Sequence, residues 1–447
     1  MTTSATPALT PQRRAEQRKV LAGTLVGTSI EWYDFFIYAQ AAGLVLAPLF
    51  LAPLSTQNPG LAQILSFATI GISFLFRPLG AIVAGHLGDK LGRKKMLVLT
   101  LILMGASTAL IGLLPTYAQI GVGAPILLIL LRILQGFSAG GEWGGAALMA
   151  VEHAPKGKRG LFGAYPQIGV PIGMILATLV LWVLRTTLGA QAFLEWGWRL
   201  PFLFSIVLVF VGWIIRRAVE ESPVFAELQD RKRESSAPLK QLFKNHTKEV
   251  ILAALIFISN NAAGYLLIAF FISYVSKTLK QPLDSVLLVT ALASTGWLIF
   301  TLVGGWLSDK IGRVRTFQIG YVLVLLWVIP MWFLIDTGSL PLYFVAAFVL
   351  TIGLGLSYGP QAALYSEMFP AHVRYSGVSI GYALGAILGG AFAPMISEAI
   401  LNATGKSWYI GIYMAGITVI SLIAVSLVKD RPDRPLGVAA EDRLTKA

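Results

Sequence analysis

Long apolar stretches recur along nearly the whole chain, and they decide what it can fold into. Each is 18 to 30 residues long, enough for an α-helix to cross a hydrocarbon core of about 30 Å. Only 13% of the residues are charged, against about 25% in soluble proteins, so a water-soluble fold is excluded. The sequence therefore predicts an all-α membrane protein with twelve transmembrane helices, at about residues 21–50, 62–86, 96–114, 125–153, 160–184, 200–218, 249–276, 286–307, 316–335, 341–368, 374–401 and 408–428.

The net charge of +13 is distributed unevenly along the chain. Most of the 35 Lys and Arg residues fall in the N-terminal tail, the central polar loop, the C-terminal tail and the turns that share a side with them. Because Lys and Arg accumulate on the cytoplasmic side of membrane proteins, both termini are predicted to be cytoplasmic. The charge is thus explained without a nucleic-acid partner, and we expect a multi-pass protein of the bacterial inner membrane.

One long polar segment, from about Arg216 to Lys248, divides the predicted helices into six and six. It is the candidate boundary between two halves. The predicted organisation is a cytoplasmic N-terminal tail (1–20), an N-terminal six-helix half (21–218), a cytoplasmic central loop (219–248), a C-terminal six-helix half (249–428) and a cytoplasmic C-terminal tail (429–447).

Two motifs of the first half return in the second. The segment Gly85–Lys95 recurs 220 residues later as Gly305–Arg315, and the pair formed by Glu152 and Arg159 recurs 215 residues later. Glycine suits tight turns, Asp can cap a helix N-terminus, and basic residues can pair with acids. One such turn could serve membrane topology alone, whereas two matched copies favour a gate. The predicted cytoplasmic gate comprises Gly88, Asp89, Arg93, Lys94, Glu152, Arg159, Asp309, Arg313, Glu367 and Arg374.

Several motifs resemble a known family. The segment Gly88–Lys94 is similar to the signature loop of the major facilitator superfamily. The segments that resemble its metabolite:proton symporters are Glu31–Phe35, Phe74–Gly80, Arg132–Gly136, Gly140–Gly145 and Trp196–Phe202. Within that family, the stretches Phe67–Thr100 and Arg132–Leu148 are most similar to the shikimate carriers. The resemblance implies two six-helix halves that expose a central site to each side in turn. It also implies proton-coupled uptake of a small organic acid, such as shikimate or a di- or tricarboxylate, with a proline- or betaine-type zwitterion or a non-transporting sensor as alternatives.

Five charged residues fall well away from the ends of the predicted helices, all in the first half: Glu31, Asp34, Arg77, Arg132 and Glu142. A charge in hydrocarbon costs several kcal/mol and normally faces a cavity, so this set is the functional short-list. Given the resemblance, we expect the two arginines to attract a substrate carboxylate and the three acids to carry the coupled proton. The alternative is that the arginines only pair with these acids inside the bundle.

Neutral polar and aromatic side chains complete the predicted substrate site. Carriers expose such groups where helices are broken or rich in glycine near the middle of the membrane. The candidates are Tyr33, Tyr38, Gln135, Trp143 and Gln167 in the first half and Asn260, Asn261, Tyr265, Tyr358 and Gln361 in the second.

Energy sources other than an ion gradient lack a sequence signature. The fragment Gly405–Ser407 lacks the earlier glycine of a phosphate-binding loop, and no His-Glu-x-x-His metal motif occurs. We therefore expect no enzyme activity, no metal and no cofactor, and the resemblance to proton symporters implies a proton gradient as energy source. The expected partners are a small-molecule substrate, protons and the lipid bilayer, with the chain acting as a monomer.

Overall fold

A computed structural model describes most of the chain. It covers residues 11–91, 93–140, 142–217, 238–431, 434 and 436, with side chains described except at 11–14, 16, 84–97, 215–217 and 238–240. The described part is almost entirely helical, as the apolar stretches predict. Residues 218–237, which include most of the predicted central loop (219–248), lie outside it. Within the rest of that loop the chain forms a short helix, Pro238–Asn245.

Twelve helical rods follow one another in the described ranges, and several change character along their length. We number them α1 to α12: α1 (Pro11–Ala41, continued by the π-helical Ala42–Leu46 and by Ala47–Phe50), α2 (Pro59–Leu91), α3 (Arg93–Leu113), α4 (Gly123–Ala139 and Glu142–Glu152), α5 (Arg159–Glu195), α6 (Leu200–Arg217), α7 (Thr247–Tyr265, the π-helical Leu266–Phe270, Phe271–Ser273 and the π-helical Tyr274–Thr278), α8 (Leu283–Ile311), α9 (Arg313–Trp327 and Pro330–Ile335), α10 (Leu340–Tyr358 and Gln361–Met368), α11 (Arg374–Leu388 and Ala393–Thr404) and α12 (Trp408–Ser426). Short helices Ala52–Gln57, Tyr117–Ile120 and Gly197–Arg199 lie in the connections.

Ten of these rods are long and apolar enough to cross a membrane within the described residues. The other two are α3, whose apolar part Val98–Leu113 is shorter, and α9, which is broken before Pro330. Proline lacks the N–H of an intrahelical hydrogen bond, which accounts for a break at this residue. Each predicted apolar stretch thus corresponds to one rod.

The start of the first helix and the segment after the last helix both contact the turn between α4 and α5. Gln17 Nε2 donates to the carbonyl of His153 (2.9 Å), and Arg159 Nη1 donates to the carbonyl of Arg434 (2.6 Å). We call this the terminal face, defined by residues 11–20, 152–159, 311–313, 368–374, 426–431, 434 and 436. The opposite face is defined by residues 50–59, 113–123, 195–200, 278–283, 335–340 and 404–408.

The two sets of six helices pack through a few pairs that cross between them. The main pairs are α5 with α8 and α2 with α11, and the second segment of α4 also packs on α11. Within the first set, α2 and α4 touch backbone to backbone, because a Cβ at Gly136 would lie 1.8 Å from the carbonyl oxygen of Ser73. Small residues permit such close approach in membrane helices. This contact fixes the positions of Arg77 on α2 and Arg132 on α4.

Candidate functional site

A narrow cavity lies between the two halves. Its walls come from α1 and α5 on one side and from α7, α8 and α10 on the other. The lining is mostly aromatic, with few polar groups, as is usual for small-molecule sites. It consists of Trp32, Phe36, Val170, Phe257, Asn260, Asn261, Gly264, Tyr265, Ile268, Trp297 and Tyr358.

Arg77 lies beside this cavity with unmet hydrogen-bonding capacity. Its side chain is buried, and its guanidinium carbon is 4.2 Å from the Phe35 ring centroid and 4.3 Å from that of Phe74. The same carbon is 5.5 Å from the ring of Trp32, which lines the cavity. Nε and Nη2 have no hydrogen-bond partner in the described part of the chain. Ring faces stabilise a cation but accept no strong hydrogen bond, so these two donors are available to an anion.

Arg132 is equally buried but is satisfied within its own half. Nε donates to the Thr69 carbonyl (3.3 Å) and Nη2 to the Ile70 carbonyl (3.1 Å), both on α2. Nη1 donates to Gln135, and the guanidinium lies 3.7 Å from the centroid of the Tyr38 ring. In this conformation Arg132 ties α4 to α2.

The acids of α1 differ in where they point. Asp34 accepts a hydrogen bond from the Ser205 hydroxyl of α6 (2.5 Å), and the neighbouring Tyr33 donates to the Pro201 carbonyl (2.8 Å). This side of α1 therefore faces the interior of the first half. Glu31 is buried within electrostatic range of three tyrosines of the second half, Tyr265, Tyr358 and Tyr382. Glu142 is also buried, at the start of the second segment of α4.

The polar candidates of the second half divide in the same way. Asn260 Nδ2 donates to the Leu354 carbonyl (2.9 Å) and to Ser357 (2.8 Å), which ties α7 to α10. Asn261 Oδ1 and the hydroxyls of Tyr265 and Tyr358 belong to cavity-lining residues and have no hydrogen-bond partner among the described residues. Buried polar atoms are nearly always paired, so these three are candidates for ligand contacts.

The remaining candidates hold helices together. In the first half, the Tyr38 hydroxyl donates to Thr69 (2.6 Å) and Gln135 Nε2 donates to Thr108 (2.9 Å). None of the predicted Tyr33, Tyr38 and Gln135 lines the cavity. Trp143 and Gln167 lie at the contact between the halves. Gln361, by contrast, is buried in the second segment of α10, and neither its Nε2 nor its Oε1 has a hydrogen-bond partner among the described residues.

Charged groups of the terminal face bridge the halves. Asp309 of α8 accepts hydrogen bonds from the backbone N–H groups of Gly160 (2.8 Å) and Leu161 (2.9 Å), and so caps the N-terminus of α5 across the interface. Arg313 pairs with Asp309 (2.6 Å). The next ion pairs are Arg159 with Glu367 (3.4 Å), Arg313 with Glu367 (3.4 Å) and Arg374 with Glu152 (3.6 Å). The matching side chains of Gly88, Asp89, Arg93 and Lys94 lie outside the described residues.

The opposite face is bridged as well. The Ser273 hydroxyl of α7 donates to the Gly43 carbonyl in the π-helical part of α1 (3.2 Å). Lys277 Nζ donates to Gln63 Oε1 of α2 (2.8 Å) and lies in electrostatic range of Glu398 on α11. The halves are therefore in contact on both sides of the cavity.

Comparison with known proteins identifies the family of this chain. The sequence model of the Major Facilitator Superfamily matches residues 24–383. The chain belongs to the Major Facilitator Superfamily.

Its relatives within this superfamily carry metabolites. The chain is 38% identical over 423 residues to the inner membrane metabolite transport protein YhjE of Escherichia coli K12, covering 93% of this chain and 94% of YhjE. It is 35% identical over 417 residues to the shikimate transporter (92% and 94% covered) and 32% identical over 431 residues to the proline/betaine transporter (94% and 85% covered) of the same strain. The structure of the proton:xylose symporter XylE bound to 6-bromo-6-deoxy-D-glucose matches with a TM-score of 0.76 at 18% identity, covering 95% of this chain and 98% of XylE. At that identity the likeness shows the fold alone.

These findings confirm the predicted family and fold. The protein is a multi-pass major facilitator transporter of metabolites with two six-helix halves, and it is not an enzyme. In the described residues, no group of three His, Cys, Asp or Glu side chains is placed to hold a metal ion.

Sequence reasoning missed part of the site. It did not single out Trp32, Phe257 and Trp297, which line the cavity, or Tyr382, which lies in electrostatic range of Glu31. It also missed Glu398, although this acid lies inside the eleventh apolar stretch. A charge inventory taken over every stretch finds Glu398, whereas the aromatic walls have no sequence signal that distinguishes them from core residues.

Proposed function

We propose that this transporter takes up a small metabolite with a single carboxylate, in symport with protons. The observation that carries the proposal is the contrast between the two buried arginines. Arg77 has two unpaired donors beside the cavity, whereas Arg132 is satisfied by α2 and Gln135. One guanidinium with two free N–H groups suits one carboxylate in bidentate geometry.

The cavity walls support one carboxylate rather than two or three. A second ionised carboxylate would face mainly aromatic rings, and burying an uncompensated charge costs several kcal/mol. Among the unpaired polar atoms of the lining, Asn261 Oδ1 and the hydroxyls of Tyr265 and Tyr358 suit hydroxyl groups of a ligand. A hydroxylated ring acid of the shikimate type fits this pattern better than a di- or tricarboxylate, and the similarity to a shikimate transporter supports it.

Glu31 is our candidate for the proton-carrying group, ahead of Asp34 and Glu142. It lies within electrostatic range of tyrosines of the second half, so its surroundings change when the halves separate. An ionised carboxylate is costly inside a closed bundle, and uptake of a proton removes that cost. Protonation of Glu31 would therefore favour the closed state that returns the site to the other side.

The topology is part of the proposal. We infer that the terminal face is cytoplasmic, because Lys and Arg cluster in the segments that lie there. The similarity to an inner membrane protein supports the bacterial inner membrane as location. Residues 21–218 and 249–428 would rock as two bodies around the cavity in a monomer, with the ion pairs of the terminal face as the cytoplasmic gate.

A second candidate substrate is a zwitterion of the proline or betaine type. The aromatic rings that surround the cavity favour it, because such rings bind ammonium and quaternary ammonium groups. Arg77 would hold its carboxylate in the same way. The similarity to a proline/betaine transporter supports this alternative.

Uptake into proteoliposomes distinguishes these possibilities. Labelled shikimate, 2-oxoglutarate, citrate, proline and glycine betaine are compared with and without an imposed pH gradient. Saturable, gradient-dependent uptake of shikimate alone supports the first proposal, and uptake of proline or betaine supports the second. Transport of citrate or 2-oxoglutarate would contradict the single-carboxylate site. Uptake that is the same with and without a pH gradient would contradict symport with protons.

A further inference from the structure

Trp143 and Tyr382 form a flat aromatic stack between the two halves. Their ring centroids are 3.7 Å apart and their planes differ by 10°. Tyr382 continues the stack onto Phe257, at 4.4 Å and 23°. Trp143 belongs to α4 of the first half, whereas Tyr382 on α11 and Phe257 on α7 belong to the second. The Trp143–Tyr382 contact must therefore break when the halves move apart at this level.

The stack lies between the cavity and the terminal face. Phe257, at one end of it, lines the cavity. Trp143 and Tyr382 stand on the same two helices as Glu152 and Arg374, which form an ion pair at the terminal face. At 1.5 Å per helical residue, the stack is about 12 to 14 Å deeper than this pair. The aromatic stack and the ion pair therefore close the interface between α4 and α11 at two depths.

Other contacts hold the Trp143 ring in place. Trp143 Nε1 donates to Gln167 Oε1 (2.8 Å), and Gln167 Nε2 donates across the interface to the carbonyl of Tyr358 (3.2 Å). Next to the stack, a Cβ at Gly144 would lie 2.1 Å from Ser379 Oγ, so α4 and α11 touch here. Trp143 and Tyr382 are each only 3% exposed.

We propose that Trp143 and Tyr382 are an aromatic gate that closes the cavity towards the terminal face. The stack must open before a ligand leaves on that side, and Gln167 positions Trp143 for closure. Since Tyr382 covers a face of the Trp143 ring, the role of Trp143 is to close the path, in place of the substrate contact predicted from sequence. The gate rests on the transport function of the chain and not on the identity of the substrate.

The test uses the absence of cysteine from this chain. A single cysteine at Val170, which lines the cavity, is introduced by Val170→Cys and labelled in proteoliposomes with a membrane-impermeant thiol reagent added to one side at a time. A separate Lys19→Cys variant, exposed near the N-terminus, identifies the terminal face. Trp143→Ala should raise labelling from the terminal face about two- to tenfold, as expected for loss of one aromatic pair, and leave labelling from the opposite face unchanged. Trp143→Phe keeps a ring and should stay near the parent rate.

Matched variants distinguish a specific gate from a general effect of removing a buried aromatic side chain. Tyr382→Ala should reproduce the effect of Trp143→Ala, because either change removes the stack. Trp297→Ala removes a buried tryptophan that lines the cavity outside the stack, and should not raise labelling selectively from the terminal face. The proposal would be overturned if Trp143→Ala and Tyr382→Ala both left labelling of Val170→Cys at the parent rate, or if they raised labelling equally from both faces. Labelling needs no substrate, so a wrong substrate assignment leaves this result intact.

Discussion

Replacing Arg77 with glutamine should weaken ligand binding without lowering stability, whereas replacing Arg132 with glutamine should mainly lower stability. In the Arg77 variant, the two free donors Nε and Nη2 are lost. A hydrogen bond to a charged group contributes about 1.5 to 3 kcal/mol, so losing two weakens carboxylate binding by about 3 kcal/mol or more. At about 1.4 kcal/mol per tenfold, this is a loss of at least about 100-fold in affinity. The ligand-free Arg77→Gln protein should be as stable as the parent or more stable, because an unpaired buried charge has been removed.

In the Arg132 variant, the expected loss is in the stability of the folded protein. Arg132 donates to two carbonyls of α2 and to Gln135, so Arg132→Gln leaves these acceptors without their partner. Each unsatisfied buried group costs about 1 to 3 kcal/mol. We therefore expect a lower melting temperature without ligand, with ligand affinity changed far less than in Arg77→Gln.

Thermal melting of the purified variants measures both quantities. The melting temperature without ligand reports stability, and its rise with increasing shikimate or glycine betaine reports binding, because a ligand of the folded state stabilises it. Arg77→Lys is the matched control, since it keeps the charge and restores part of the donor capacity. Arg77→Gln binding with parent affinity, or Arg132→Gln losing binding at unchanged stability, would refute the division of roles.

Three further variants test the gates and the proton path. Asp309→Asn weakens the cap on α5 and the pair with Arg313, and should shift the population away from closure at the terminal face by about 1 to 3 kcal/mol. Distances between spin labels at introduced cysteines on that face measure the shift, and an unchanged distribution would argue against the gate. Glu31→Gln should keep substrate exchange across the membrane but lose accumulation driven by a pH gradient. If Glu31→Gln still accumulates substrate and Asp34→Asn does not, Asp34 rather than Glu31 carries the proton. Ser273→Ala removes a hydroxyl that bridges the halves at the opposite face and should favour opening there by about 1 kcal/mol, detected as faster labelling of Val170→Cys from that face only.

The sequence alone was sufficient for the membrane architecture. Twelve apolar stretches determine twelve helices, because a chain in hydrocarbon must satisfy its backbone hydrogen bonds within each segment. The repeated motifs identified the charged groups of the terminal face. Which acid meets which base depends on how the halves pack: Asp309 bonds to backbone N–H groups of α5, and Glu367 lies between Arg159 and Arg313.

Only the tertiary structure distinguished the roles of Arg77 and Arg132. Both are buried arginines within apolar helices. Gln135 lies one turn after Arg132, but the sequence does not show which arginine meets acceptors on another helix. Arg132 reaches the carbonyls of Thr69 and Ile70 on another helix, whereas the Arg77 guanidinium lies between rings that offer no acceptor. The aromatic cavity arises in the same way, from side chains on five helices far apart in the chain. A buried donor becomes a ligand site only when no neighbouring helix supplies an acceptor, and that depends on the packing of helices that lie far apart in sequence.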